Sequence, residues 1–107
     1  MSLFNDREAA FEKQFAHDQD LRFKATARRN KLMGLWVAER LGKTGPEAEA
    51  YAKTVVAADF EEPGDGDVLR KVRQDLEGAG KSVDDAELGS KMQQLLIQVV
   101  EDIKAGR

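Results

Sequence analysis

Leu88-Gly89-Ser90-Lys91-Met92-Gln93-Gln94-Leu95-Leu96-Ile97-Gln98-Val99-Val100-Glu101-Asp102-Ile103 decides the fold class. Its apolar residues Leu88, Met92, Leu95, Leu96, Val99, Val100 and Ile103 recur at i, i+4, i+7, i+8, i+11, i+12 and i+15. That spacing gathers them on one stripe of a 3.6-residue helix, whereas a half-buried strand would alternate every second residue. Upstream, Ser82 and Asp85 form an S-x-x-D start, and Asp84 and Glu87 add negative charge at the positive helix end.

The same logic extends toward the N-terminus. Three breaks divide the chain: Gly42-Lys43-Thr44-Gly45-Pro46, Glu62-Pro63-Gly64-Asp65-Gly66 and Gly78-Ala79-Gly80-Lys81-Ser82. Proline lacks the helical N–H, and glycine accepts the left-handed geometry that closes helices. Residues 46–61 place Ala48, Tyr51, Ala52, Val55, Val56 and Asp59 together, with Thr44 and Glu47 at capping-box spacing and Pro46 in the first turn. The short piece 67–77 aligns Val68, Leu69, Val72 and Leu76. From Leu21 to Leu41 runs the longest segment, apolar nearly all round over Leu32-Met33-Gly34-Leu35-Trp36-Val37-Ala38, as suits a helix touching several neighbours. Gly34 and Gly89 each cost roughly 1 kcal/mol relative to Ala inside a helix, a cost offset where two helices approach closely. Trp36 and Tyr51 are expected in the core. The expected fold is all-α: a four-helix bundle over residues 19–107.

Composition narrows the function. The chain has 107 residues, 35% of them charged and 41% hydrophobic, enough for one small core under a heavily charged surface. It has no cysteine and one histidine, His17, which excludes thiolate zinc sites, disulfides and multi-histidine metal centres. No cofactor or metal is expected. Nothing approaches the ~20 apolar residues of a membrane span, and Met1-Ser2-Leu3-Phe4-Asn5-Asp6-Arg7 lacks a signal-peptide core. A soluble, cytoplasmic monomer without direct membrane insertion is therefore expected. A formal net charge of −3 argues against nucleic acid as a partner. The charge is uneven: residues 1–31 carry seven basic against five acidic residues, and the remainder ten against fifteen.

Residues 1–18 read as a separate amphipathic helical arm. Phe4, Phe11 and Phe15 share one helical face, Phe23 follows on roughly the same side, and Asp6, Glu12, Lys13 and Gln14 occupy the other. Asn5 and Glu8 have the spacing of an N-cap and its reciprocal partner. The apolar stripe lapses at His17-Asp18-Gln19-Asp20, so one continuous helix and two helices with a hinge are both allowed. Burying one phenylalanine stabilises by about 2–3 kcal/mol, and so short a helix is marginal alone. Its aromatic face needs a surface, either the chain's own bundle or another protein's groove. His17 and Asp18, at the lapse, form a candidate pH-sensitive hinge, because histidine titrates near neutrality and a neighbouring carboxylate favours its charged form.

Weaker signals compete. Gly78-Ala79-Gly80-Lys81-Ser82 resembles the end of a phosphate loop, but Asp75 stands where the first glycine belongs and no strand precedes it. An inter-helix turn is the plain reading; weak adenine-nucleotide contact through Gly78, Gly80, Lys81 and Ser82, with ATP or ADP as ligand, is the alternative function, that of a nucleotide-sensing bundle. Asp65-Gly66-Asp67 reads as a solvated acidic turn. Arg28-Arg29-Asn30-Lys31 is a basic patch, but it falls in a helix of an acidic protein and lacks interleaved aromatics, so phosphate-backbone binding is not expected of it. No nucleophile or metal set accompanies the acidic pairs Glu61-Glu62 and Asp84-Asp85, so no catalytic residue is assigned and an enzyme is not expected.

Taken together, Phe4-Asn5-Asp6-Arg7-Glu8, Phe11-Glu12, Phe15-Ala16-His17-Asp18, Phe23 and Ala27-Arg28-Arg29-Asn30-Lys31-Leu32-Met33-Gly34-Leu35-Trp36 resemble the zeta-subunit family, inhibitors of the F-type ATP synthase of alpha-proteobacteria. The resemblance spans essentially the whole chain and is most specific over residues 4–36. It implies a helical bundle whose N-terminal arm enters a catalytic alpha/beta interface beside the rotor and blocks ATP hydrolysis. Carried onto this chain, it makes Phe4, Arg7, Glu8, Phe11, Glu12 and Phe15 the candidate inhibitory residues. The implied partners are the alpha, beta and gamma subunits, and the implied location is peripheral to the inner membrane through the synthase.

Overall fold

The computed structural model describes residues 18–59 and 66–107. Four helices occupy them: α1 (Gln19–Arg40), α2 (Pro46–Ala58), α3 (Gly66–Gly78) and α4 (Asp85–Lys104). No strand occurs among the described residues, so the all-α bundle expected from the apolar spacing is the observed fold. The arm 1–18, except Asp18, lies outside the described residues.

Each helix end has a local cause. Asp18 sits at φ −95°, ψ 105°, outside the helical region, and its Oδ1 accepts the Leu21 N–H at 3.0 Å. A carboxylate there satisfies one of the orphan donors of a first turn, so α1 begins at Asp18. Three C-termini close in the same way. In each, the N–H three residues past the last helical position reaches back five residues: Lys43 to Ala38 at 2.9 Å, Lys81 to Leu76 at 3.0 Å and Arg107 to Asp102 at 2.7 Å. Gly42, Gly80 and Gly106 take the positive φ these caps require, between 75° and 79°.

Two expected caps are replaced. Thr44 does not cap α2. Pro46 at the first helical position disfavours helical geometry in the residue before it, and Gly45 fills that place at φ 55°, ψ −130°, which a side chain would resist. Ser82 does not cap α4 either. The start falls two residues later, where Asp84 accepts the N–H groups of Ala86 at 2.9 Å and Glu87 at 3.4 Å.

The core is assembled from all four helices: Met33 and Val37 of α1, Val55 of α2, Val68, Val72 and Leu76 of α3, and Leu88, Met92 and Leu95 of α4. α1 is the central element, packed most extensively on α2 and then on α4. At Gly34 the α1 backbone lies directly against α2. A Cβ there would meet Ala52 Cα at 2.6 Å and Val55 Cγ2 at 3.2 Å. Close approach therefore accounts for Gly34. It does not account for Gly89, where an added Cβ would meet nothing within 4 Å. Trp36 and Tyr51 also differ from expectation: both are half-buried and pack against the edge of the core, because each carries a polar handle or a cationic neighbour outside it.

Candidate functional site

Of the sequence-predicted site residues, Phe4, Arg7, Glu8, Phe11, Glu12, Phe15 and His17 lie outside the described residues. Asp18 is the cap of α1. Phe23, one turn further on, is exposed at 59%.

The Gly78–Ser82 turn is the closing cap of α3. Ala79 donates to Asp75 and Leu76, Gly80 donates to Glu77 at 3.0 Å, and Lys81 donates to Leu76 at 3.0 Å. A phosphate cradle works by presenting free backbone N–H groups to an anion. In this turn those of Gly80 and Lys81 are engaged by the helix's own carbonyls. The side chains of Lys81 and Ser82 are both exposed.

The Arg28-Arg29-Asn30-Lys31 cluster splits into inward and outward members, as a helix turns its successive residues by 100°. Arg29 and Asn30 are buried, and the Arg29 Nε and Nη2 both donate to Asn30 Oδ1, at 3.2 and 3.0 Å. Arg28 faces out and donates through Nη1 to the Arg107 carbonyl at 3.0 Å, while Lys31 pairs with Glu49 at 3.7 Å. The burial of Arg29 had a signal in the sequence: it stands four residues from Ala25 and from Met33, on the stripe that faces the core.

Asp67 is 4% exposed, with Oδ1 accepting the Val68 N–H at 2.9 Å, so the acidic turn is not uniformly solvated as expected. Its place in the first turn of α3, next to buried Val68, carries it inward.

Two polar clusters were not foreseen. Tyr51 Oη donates to Asp75 Oδ2 at 2.7 Å, and Lys71 Nζ reaches the same oxygen at 3.0 Å, joining α2 to α3. Burial, then the hydrogen bond to Asp75 and its negative charge, push the Tyr51 hydroxyl well above its ordinary pKa. At the other end, the Arg40 guanidinium lies 4.1 Å from the Trp36 ring centre and pairs with Glu87, with Lys91 on the same ring at 5.6 Å. Both clusters fasten helices to one another. Among the described residues no group of three or more His, Cys, Asp or Glu side chains could hold a metal ion.

The class these features define is a small helical bundle held by internal caps and ion pairs. A family model described as ATPase inhibitor subunit zeta matches residues 1–102. The chain belongs to that family. It is similar to a structure solved by solution NMR, 52% identical, with a TM-score of 0.71, the match covering 81% of this chain and 99% of that one. No curated protein sequence matches it. Membership gives the chain an inhibitory, regulatory role, and the family name implies association with ATP synthase. Among the described residues, no helix is long and apolar enough to cross a membrane.

Proposed function

We propose that the chain blocks ATP hydrolysis by the F-type ATP synthase through residues 1–18, which enter a catalytic alpha/beta interface near the rotor while α1–α4 remain outside. The observation that carries this reading is the family match, which begins at residue 1 and so takes in the arm. Phe4, Phe11 and Phe15 would be the aromatic anchors, since buried aromatics dominate most protein interfaces. Arg7, Glu8 and Glu12 would pair with charges at the rim of the cleft. The capped helix start at Asp18 supports a division between arm and bundle at that point. A wedge of this kind stops a rotary enzyme only if it binds one rotor state better than the others, because differential affinity alone shifts an equilibrium.

Deleting residues 1–17 preserves the Asp18 cap and tests the reading directly. The truncated chain should melt as a helical bundle and leave ATP hydrolysis by the synthase head uninhibited; full inhibition by it would overturn the proposal. His17 is proposed as the pH-sensitive element of the hinge. Inhibition profiled against pH should differ between wild type and His17→Ala, and superimposable profiles would remove that role.

A further inference from the structure

We infer that the groove between α1 and α4 is a second docking surface for the ATPase, built to take an amphipathic helix with an acidic edge. The inference rests on the proposed inhibitory function and adds to it a contact made by the bundle rather than by the arm.

The groove has a volume of about 280 Å³ and is lined by Arg28, Lys31, Leu32 and Leu35 of α1 and Val99 and Asp102 of α4. Leu32 and Leu35 are only half-buried, so its floor is apolar and open. Charge selects the occupant. Lys24, Arg28 and Lys31 stand at i, i+4 and i+7, on one edge of α1, and all three are exposed. Among the described residues, Lys24 forms no ion pair, Arg28 donates to the Arg107 oxygen at 3.0 Å and Lys31 pairs with Glu49 at 3.7 Å, all at the solvent-facing surface. On a chain whose net charge is −3, three exposed cations along one edge beside half-buried leucines make this edge locally basic.

The opposite edge carries Asp102, already paired with Arg107 at 3.0 Å. The α1 edge is thus basic and the α4 edge a closed, neutral pair, and an occupant must match both. A helix laid between two helices fills such a concave seam with its apolar stripe and offers acidic side chains to the α1 edge. A flat anionic membrane surface would reach the cations without filling the floor between them, so a protein helix is the better fit.

The test uses the full chain and the purified synthase head, with binding and inhibition measured separately. Arg28→Glu/Lys31→Glu should weaken binding to the head by about tenfold to a hundredfold, as expected when interfacial charges are reversed. Lys24→Glu/Lys31→Glu keeps the Arg28 contact with the Arg107 carbonyl and should act in the same direction. Both should melt like wild type, and inhibition at saturating concentration should persist. The control Lys53→Glu, an exposed cation on α2 outside the groove, should bind normally.

Unchanged binding in both groove variants overturns the inference, and so does an equal loss in the Lys53 control. A further arm uses vesicles containing phosphatidylglycerol: loss of vesicle binding with head binding intact would assign the edge to lipid instead. The arm and the groove fail differently. A chain that binds through the groove without inhibiting contradicts only the arm, and a groove variant that binds as wild type contradicts only the groove.

Discussion

Replacing Gly34 with alanine tests the backbone contact on which the α1–α2 pair depends. In an open helix the change would stabilise by about 1 kcal/mol through propensity alone. Here the new methyl would lie 2.6 Å from Ala52 Cα and 3.0 Å from Ala52 Cβ. The first of these is a backbone atom and cannot rotate aside, so α2 must shift outward and loosen Val55 from the core. Overpacking of this kind costs about 1–3 kcal/mol, and a direct backbone clash belongs at the upper end. The net expectation is a loss of about 1–2 kcal/mol, after the propensity gain is subtracted. For a domain of this size that lowers Tm by roughly 5–15 °C. Gly89→Ala supplies the internal control, because it places the same methyl where nothing lies within 4 Å. It should raise stability by up to about 1 kcal/mol. Thermal and urea melts followed by helical circular dichroism measure both. A Gly34→Ala protein as stable as wild type, or two variants shifting in the same direction, would refute the reasoning.

Asp84→Ala should cost about 1 kcal/mol in a urea melt, the usual value of an N-cap, while Ser82→Ala should change nothing measurable; the reverse order would restore Ser82 as the cap. Tyr51→Phe removes the hydroxyl that bridges α2 to Asp75 and should destabilise by about 1–2 kcal/mol near neutral pH. The same residue sets an alkaline limit. Its folded pKa is raised, so the folded state holds the proton longer than the unfolded one, and stability should fall as pH rises above the ordinary tyrosine value of about 10. That component should be missing from melts of Tyr51→Phe; identical alkaline profiles would show that Tyr51 is not its source.

The helices were legible because their periodicity is redundant. α4 repeats its apolar position seven times, and no shift of one residue preserves the stripe. The glycines were legible only in part: a glycine inside an apolar helix suggests a neighbour's backbone, which is right at Gly34 and wrong at Gly89. Cap positions were less so. Ser82, Asp84 and Asp85 can each begin a helix, and the choice depended on where Val83 and Leu88 had to meet the core. Arg29 and Asp67 escaped notice for a different reason: charge normally implies solvent, and helical phase overrode it. Within the candidate site, the aromatic spacing of residues 4–15 could be read from the chain, whereas the basic edge of the α1–α4 groove could not. It needs Leu35 and Val99, which are 64 residues apart in sequence, brought to one surface.

The contact at Gly34 also bears on how the bundle carries load. Most helix pairs meet through a layer of side chains that can change rotamer and so yield under a push. With Ala52 seated against bare α1 backbone, that compliant layer is missing over this stretch. A displacement of α1 at this level is therefore passed to α2 almost directly, backbone to backbone.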